Sequence, residues 1–487
     1  MPSNWGSAPR SIPFRAPMAH LGTPDNPLRA AIVGSGPAGF YAAEHLLKPA
    51  ELTVEVDMFD RLPTPFGLVR AGVAPDHPKI KSVIRVYEKT AARDGFRFFG
   101  NVDVGRDISV PELAERYNAV IYAYGTPTDR QLGIPGEDLP GSHAATEFVA
   151  WYNAHPDFAD RAFDLDCERV VVIGNGNVAA DVTRMLVLPR AELEVTDTAD
   201  HAIDRLCGGS VSEVVVLGRR GPAQAAFTNP EVRELGELTE ADIVIDPADV
   251  ELDELSREQL EADDADPTNK RNVELFTEFS RRKPEGKPKR VVMKFLRSPV
   301  EIQGDGKVER LVVAVNELNR DEGGAIRARD TGEREVIECG LVLRSIGYKG
   351  VSLGGTPFDD RRGVIPNEAG RIVDPDAGGA QVPGHYAVGW IKRGPSGVIG
   401  TNKKDAAETI ASLLADLDSG AVPEREPVEP AIEALIAERA PDAVSYEGWT
   451  AIDRAEVAAG EPHGRPRVKF CRVPEMLEAA RAGEPVG

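Results

Sequence analysis

The feature that most constrains this chain is a glycine pattern that occurs twice, each time directly after a short apolar run. The first copy, Gly34-Ser35-Gly36-Pro37-Ala38-Gly39, follows RAAIVG. The second, Gly174-Asn175-Gly176-Asn177-Val178-Ala179, follows RVVVIG. Apolar run, glycine turn and helix-forming segment in that order open a βαβ unit of a parallel sheet. The first glycine permits the tight turn, and the second lets backbone approach a pyrophosphate. The third position, glycine or alanine, lets the helix pack close to its strand. The helix start then offers N–H groups and the positive end of its dipole to an anion. Both units are completed by a second strand-like run, TVEVDMFD at 53–60 and SEVVVLGRR at 212–220. The expected fold class is α/β with two Rossmann-like dinucleotide-binding units.

The two units end differently. The first finishes its second strand on Asp60, an acid placed to accept from ribose hydroxyls. The second finishes on Gly218-Arg219-Arg220, with no acid. A carboxylate there would repel a 2′-phosphate, whereas paired guanidiniums make charge-assisted, often bidentate bonds to one. The second unit is therefore expected to take NADP(H). Two dinucleotide folds in one chain suggest a flavin paired with a nicotinamide, which leaves FAD for the first unit.

Bulk properties exclude several function classes. The length of 487 residues suits two to three domains. A net charge of -22 argues against nucleic acid as the main partner. No apolar run approaches the ~18 residues of a membrane span. The four cysteines, Cys167, Cys207, Cys339 and Cys471, form no C-x-x-C pair. Neither a redox dithiol nor an iron–sulfur ligand run is encoded, no metal site is expected, and reduced thiols in a reducing compartment are. Residues 1–28 lack the apolar segment of a secretory signal and read as a disordered extension.

Between and beyond the fingerprints the pattern is mixed. The Pro/Gly-rich stretch RLPTPFGLVRAGVAPDHPKIK is long and aperiodic, as functional loops are. YNAVIYAYG reads as a buried strand. Residues 187–211 read as an extra helical segment, 240–290 as a charged stretch ending in the basic loop RRKPEGKPKR, and 291–345 as an antiparallel sheet. HYAVGWIKRGPSGVIGTNKKDAAETIASLLADL returns to the strand, glycine turn, helix order. The tail 421–487 reads as helices with one strand-like run, RVKFCRV.

Five blocks together carry a specific resemblance: GSGPAGFYAA, PTPFGLVRAGVAPDHPKIK, GNGNVAADVTRML, LGRRGPAQAAFT and GWIKRGPSGVIGTNK. They resemble the adrenodoxin-reductase-type ferredoxin–NADP reductases, from about Arg29 to about Ala480. The resemblance implies a fold of the glutathione-reductase flavoprotein type, with an NADP domain (127–345) inserted into a split FAD domain (29–126 and 346–487). Hinge strands would cross near Gly125–Pro127 and Ser345–Gly347. It places FAD against Ala38, Asp60, Leu68, Val104, Trp390 and Gly397-Val398-Ile399, beside the fingerprint glycines Gly34, Gly36 and Gly39. NADP would meet Asn175, Gly176, Asn177, Val178, Arg219, Arg220 and Glu231. By the same resemblance His77 and Glu234 approach each other near the flavin–nicotinamide junction and orient cofactors or handle protons.

The activity so implied is transfer of reducing equivalents from NADPH through FAD to a ferredoxin-type iron–sulfur protein. No second redox centre is visible in the chain, so the one-electron acceptor is another molecule. An acidic partner would need a local basic patch on this acidic chain, with Arg233, Arg271 and the run from Arg281 as candidates. The alternatives are another NADPH-dependent flavin oxidoreductase, monooxygenase-like, and a non-catalytic NADP(H)-sensing protein. A bacterial cytoplasmic location is expected, with the mitochondrial matrix as the alternative.

Overall fold

A computed structural model describes residues 20–483. The extension expected to be disordered over 1–28 is ordered from residue 20. Gly22 N–H and Asn26 C=O close a turn at 2.8 Å, and Thr53 N–H donates to Gly22 C=O at 2.8 Å. These bonds seat the turn beside the strand Leu28–Val33. Residues 1–19 lie outside the described residues.

Two sheets, the first mixed and the second parallel, organise the chain. The first has seven strands in the order Asn367–Glu368, Arg371–Asp374, Ala380–Ala387, Ala119–Tyr122, Leu28–Val33, Val54–Phe59, Phe96–Phe99. Its first two pairings are antiparallel and the rest parallel. The second has six parallel strands, Ser142–Ala144, Leu341–Arg344, Arg169–Ile173, Glu213–Leu217, Lys289–Lys294 and Ala241–Ile245. Both are covered on both faces, as parallel sheets are. Val170 and Val172 enter one core cluster and Val171 and Ile173 another. Ala30 and Ile32 likewise face away from Ala31 and Val33. This two-sided burial is why the strands read as continuous apolar runs.

The expectation of one antiparallel sheet over 291–345 is corrected. Only the middle of that stretch is antiparallel, as a three-stranded sheet of Arg297–Gln303, Arg310–Arg320 and Ile326–Glu338. The flanking runs pair in parallel within the six-stranded sheet, and Ala241–Ile245, inside the charged stretch, is its edge strand. A short apolar run states burial but not partner. The run RVKFCRV forms no strand, and it crosses the molecule as an extended segment held by side chains. A two-stranded antiparallel ribbon, Thr128–Asp129 with Tyr348–Lys349, links the two sheets.

The aperiodic loop after Asp60 folds back on the first fingerprint. Phe66 N–H donates to Ser35 C=O at 2.9 Å. A Cβ at Gly67 (φ +48°) would meet Gly36 Cα at 2.9 Å, so only glycine lets the loop lie there. Phe66 itself is buried with φ 83°, a strained conformation for a bulky residue, held beside the turn by a packed aromatic cluster.

Candidate functional site

The fingerprint helices Pro37–Leu46 and Asn177–Val187 both start at a glycine, Gly36 and Gly176, and neither is capped by a side chain. The first N–H groups of a helix have no partner within it and suit an anion when no side chain takes them. The glycines divide their tasks as the pattern requires. At Gly34 (φ +104°) a Cβ would meet the carbonyl of Ala123 at 2.7 Å, and at Gly39 one would collide with Gly34 C=O. Those two are glycine for packing. At Gly36 a Cβ meets nothing within 4 Å, and at Gly176 only Ala226 Cβ at 4.0 Å. The space over the second glycine of each turn is open, as a bound pyrophosphate needs.

Asp60 receives the N–H and hydroxyl of Ser35 on Oδ2 (2.9 and 2.5 Å) and Leu62 N–H on Oδ1 (3.0 Å). It thereby fixes the turn and stands at a small cavity of about 30 Å³ bordered by Leu62, Thr64, Gly67, Arg70 and Met476. Ala38 is buried, and a Cβ at Gly389 (φ +75°) would meet its Cβ at 2.6 Å. The glycine before Trp390 is thus required for the turn to close on the first fingerprint helix. Leu68 is exposed, Ile399 packs on the core of the seven-stranded sheet, and Val104 lies in the cluster on the sheet's other face.

Between the two sheets lies a cleft of about 1050 Å³. Its wall includes Gly174 to Val178, Arg219 and Arg220 from one unit, Trp390, Gly397 and Val398 from the other, and the ribbon residues Asp129 and Tyr348. Trp390 packs on Tyr348 with ring centroids 5.0 Å apart, and its buried Nε1 has no hydrogen-bond partner among the described residues. Arg393 in the same turn leaves Nε and Nη1 buried without hydrogen bonds among the described residues. Burial lowers the pKa of Arg393, and Asp405 opposes that. Orphaned donors beside an open turn fit a polar ligand in place of water.

Arg219 is exposed and Arg220 half-buried. Among the described residues neither has a carboxylate partner; Arg220 Nη2 donates only to Gln224 C=O at 3.4 Å. Burial lowers the Arg220 pKa, and Arg219 and Arg327 add to it. Adjacent guanidiniums without an acid form an anion site. Asn177 is held by Thr228, whose N–H donates to its Oδ1 at 2.8 Å.

His77 and Glu234 meet, Nε2 to Oε2, at 2.8 Å. They stand off the cleft wall, as does Glu231, whose carboxylate takes Arg184 Nη1 at 2.5 Å. The sequence reading missed Arg184, together with Asp181 beside it. Asp181 and Arg184, three residues apart on a helix, carry the signature of an ordinary surface ion pair, yet Arg184 is only 3% exposed. The 345–347 segment was noticed only as a hinge, and Tyr348 not at all. Of the docking candidates, Arg233 is exposed and without an ion pair among the described residues. Arg271 is paired with Glu274 at 2.6 Å and Arg282 with Glu278 at 2.7 Å.

Known proteins share this arrangement. Residues 28–216 match the family described as pyridine nucleotide-disulphide oxidoreductase. NADPH-ferredoxin reductase FprA of Mycobacterium leprae is 52% identical over 453 residues, covering 92% of this chain and 97% of that protein. The chain belongs to the adrenodoxin-reductase-type ferredoxin–NADP reductases. In this reductase family the match extends to NADPH:adrenodoxin oxidoreductase of Salvelinus fontinalis mitochondria, 42% identical over 94% of this chain and 92% of that protein. The solved structure of Mycobacterium tuberculosis FprA in complex with NADPH superposes with a TM-score of 0.87 at 50% identity, covering 94% of this chain and all of that one. The chain is accordingly an oxidoreductase, with the two-unit flavoprotein fold of this reductase family.

Proposed function

We propose that the chain is an FAD-dependent ferredoxin–NADP reductase that passes electrons from NADPH to a ferredoxin-type iron–sulfur protein. The observation that carries the reading is a shared cleft. The second fingerprint with its unpaired Arg219 and Arg220 opens onto the same space as Trp390 and the Gly397 turn. The reacting ends of two cofactors, one held by each unit, would meet there.

Bound FAD supplies the exchange between a two-electron donor and one-electron acceptors. The chain's own residues bind and orient. The uncapped start of Pro37–Leu46 and the open space at Gly36 suit the pyrophosphate of FAD, with Asp60 bracing the turn and facing the ribose side. Ala38, Leu68, Val104 and Val398-Ile399 would give apolar walls, and Trp390 with Gly397 would stand where the rings meet. Asn175 to Val178 suit the pyrophosphate of NADP(H), and Arg219 and Arg220 its 2′-phosphate. Glu231 serves through Arg184, as part of the support for His77. The boundaries 29–126, 127–345 and 346–487 draw support from the ribbon between the two sheets, although the first strand begins at Leu28.

The partner would dock near Arg233, with exposed Arg281 and Lys283 as the other candidates, since Arg271 and Arg282 are already neutralised by neighbours. Among the described residues no helix is long and apolar enough to cross a membrane. Identity of 52% to a mycobacterial protein against 42% to a mitochondrial one supports a bacterial cytoplasmic setting over the matrix.

The test is anaerobic mixing of the yellow holoprotein with NADPH or NADH, followed by cytochrome c reduction with and without added ferredoxin. Rapid bleaching by NADPH, slow bleaching by NADH and ferredoxin-dependent turnover are expected. A flavin that NADPH does not bleach would leave a nucleotide-sensing protein instead.

A further inference from the structure

The chain leaves the Gly67 turn through three short helices, Leu68–Ala71, Pro78–Lys81 and Ile84–Ala91. The first packs against the second. The third is anchored by Tyr87, whose buried ring stacks on Phe40 at 5.0 Å and meets Phe66 at 5.9 Å. Phe40 lies on the fingerprint helix Pro37–Leu46, and Phe66 precedes Gly67, which lies against Gly36. The outer face of Ile84–Ala91 is therefore fixed relative to the first nucleotide turn.

That outer face is cationic and apolar. Arg85 and Lys89, four residues apart on one helix face, flank Val86, which is 37% exposed. Ahead of them Lys79 is exposed, and Ile80 is 43% exposed. Beyond the helix, exposed Arg93 donates from Nη1 to Leu47 C=O at 2.9 Å, beside exposed Lys48. Glu88 lies off this face, on the flank toward Tyr446. Among the described residues the side chains of Lys79, Arg85 and Lys89 have no carboxylate partner. This is unusual on a chain of net charge -22. Elsewhere exposed arginines are taken up by acids, Arg106 by Asp107 at 2.8 Å, Arg161 by Glu147 at 3.0 Å and Arg334 by Asp330 at 2.7 Å.

We propose that this face is a second contact surface for the acidic iron–sulfur acceptor, which would lie across the junction of the units with Arg233 under one end and the Arg85–Lys89 stripe under the other. The two ends are joined, because His77, just ahead of Pro78–Lys81, meets Glu234 at 2.8 Å, next in sequence to Arg233. Charge complementarity selects the occupant. The net charge of the chain repels an acidic protein at long range, and free cations act within about 10 Å at 0.1 M salt. Such charges steer encounter and fix orientation, while Ile80 and Val86 offer the apolar contact that an interface core needs. A partner seated there covers exposed Leu68 as well, on the helix that packs against Pro78–Lys81.

The proposal rests on the reductase reading and adds where the acceptor lies. The test mixes the FAD-loaded protein with a purified acidic [2Fe–2S] ferredoxin and a carbodiimide, which joins lysine amines to carboxylates in contact. Mass spectrometry should find ferredoxin peptides on Lys79 and Lys89. Arg85→Glu with Lys89→Glu should lower kcat/KM for ferredoxin about tenfold at low salt and weaken its salt dependence. NADPH-dependent ferricyanide reduction should stay unchanged. Cross-linking needs no turnover, so the two readings fail separately. A ferredoxin cross-linked at these lysines that NADPH does not reduce contradicts the reductase reading and keeps the surface. Rapid ferredoxin reduction with cross-links only at Lys270 or Lys283, or with the double variant unimpaired, overturns the surface. So does a double variant that loses self-association or binding to phosphatidylglycerol vesicles while ferredoxin turnover stays intact.

Discussion

Lys469 sits inside the protein with its Nζ 3.0 Å from Asp197 Oδ2, and the same carboxylate takes Lys81 Nζ at 2.7 and 2.8 Å. Lys469 also donates to the carbonyls of Arg70 and Asn153, at 3.1 and 3.3 Å. Upstream, Arg465 donates to Thr196 C=O at 2.9 Å and also reaches Thr198 C=O and Asp200. The C-terminal segment thus ties both units to one buried acid. Asp197→Asn leaves two cations facing each other in a buried site and should cost about 3–5 kcal/mol, the usual penalty for breaking a buried pair. Lys469→Met fills similar volume and should cost less. Urea unfolding of the two variants ranks them.

The same lysine sets a pH dependence. Burial pushes Lys469 down to about 7, against the pull of Asp197. Asp197 answers to two ammonium groups, which hold it well below the usual carboxylate range despite its burial. Between about 7 and its ordinary 10.5, unfolded Lys469 carries a proton that the folded form lacks. The unfolded state binds more protons there, so stability from this group rises as pH climbs through that window. Lys469→Met should remove the rise, which denaturation midpoints across the window will show.

Gly36→Val separates folding from cofactor loading. The added Cβ meets no protein atom within 4 Å, and φ is -75°. The fold should survive, with an unchanged circular dichroism spectrum. Bound FAD should be lost, because the side chain fills the space over the helix start. A yellow Gly36→Val protein would move FAD elsewhere.

Arg219→Ala with Arg220→Ala should raise the Michaelis constant for NADPH far more than for NADH. Each lost contact to a charged phosphate is worth about 1.5–3 kcal/mol. Steady-state kinetics with both coenzymes measure the change, and a double variant that still prefers NADPH contradicts the assignment.

Arg233→Glu should slow association with an acidic ferredoxin and flatten its salt dependence, since exposed interface charges act mainly on encounter. Screening over about 10 Å at 0.1 M salt sets the range of the effect. Flavin reduction by NADPH serves as the control, because Glu234 is next in sequence. Coupled turnover indifferent to salt and to Arg233→Glu would remove this docking site.

The sequence by itself determined the two fingerprints, their strands and helices, and the contrast between Asp60 and the Arg219-Arg220 pair. Those features are local. Glycine at 34 and 36, the apolar run before and the acid or arginines after act within one βαβ unit, and their physical roles can be stated before any partner is known. Tertiary structure decided what local pattern cannot carry. The run at 291–296 states that it is buried, but its parallel pairing with Glu213–Leu217 depends on a segment some eighty residues away. RVKFCRV looks like a strand and is instead a strap, held by the side-chain contacts of Lys469 with Asp197 and not by pairing at a sheet edge. Arg184 resembles a surface cation until the loop of His77 closes over it from the other unit. Burial and long-range pairing, which only the folded chain supplies, turned these ordinary charges into the joints between the two nucleotide-binding units.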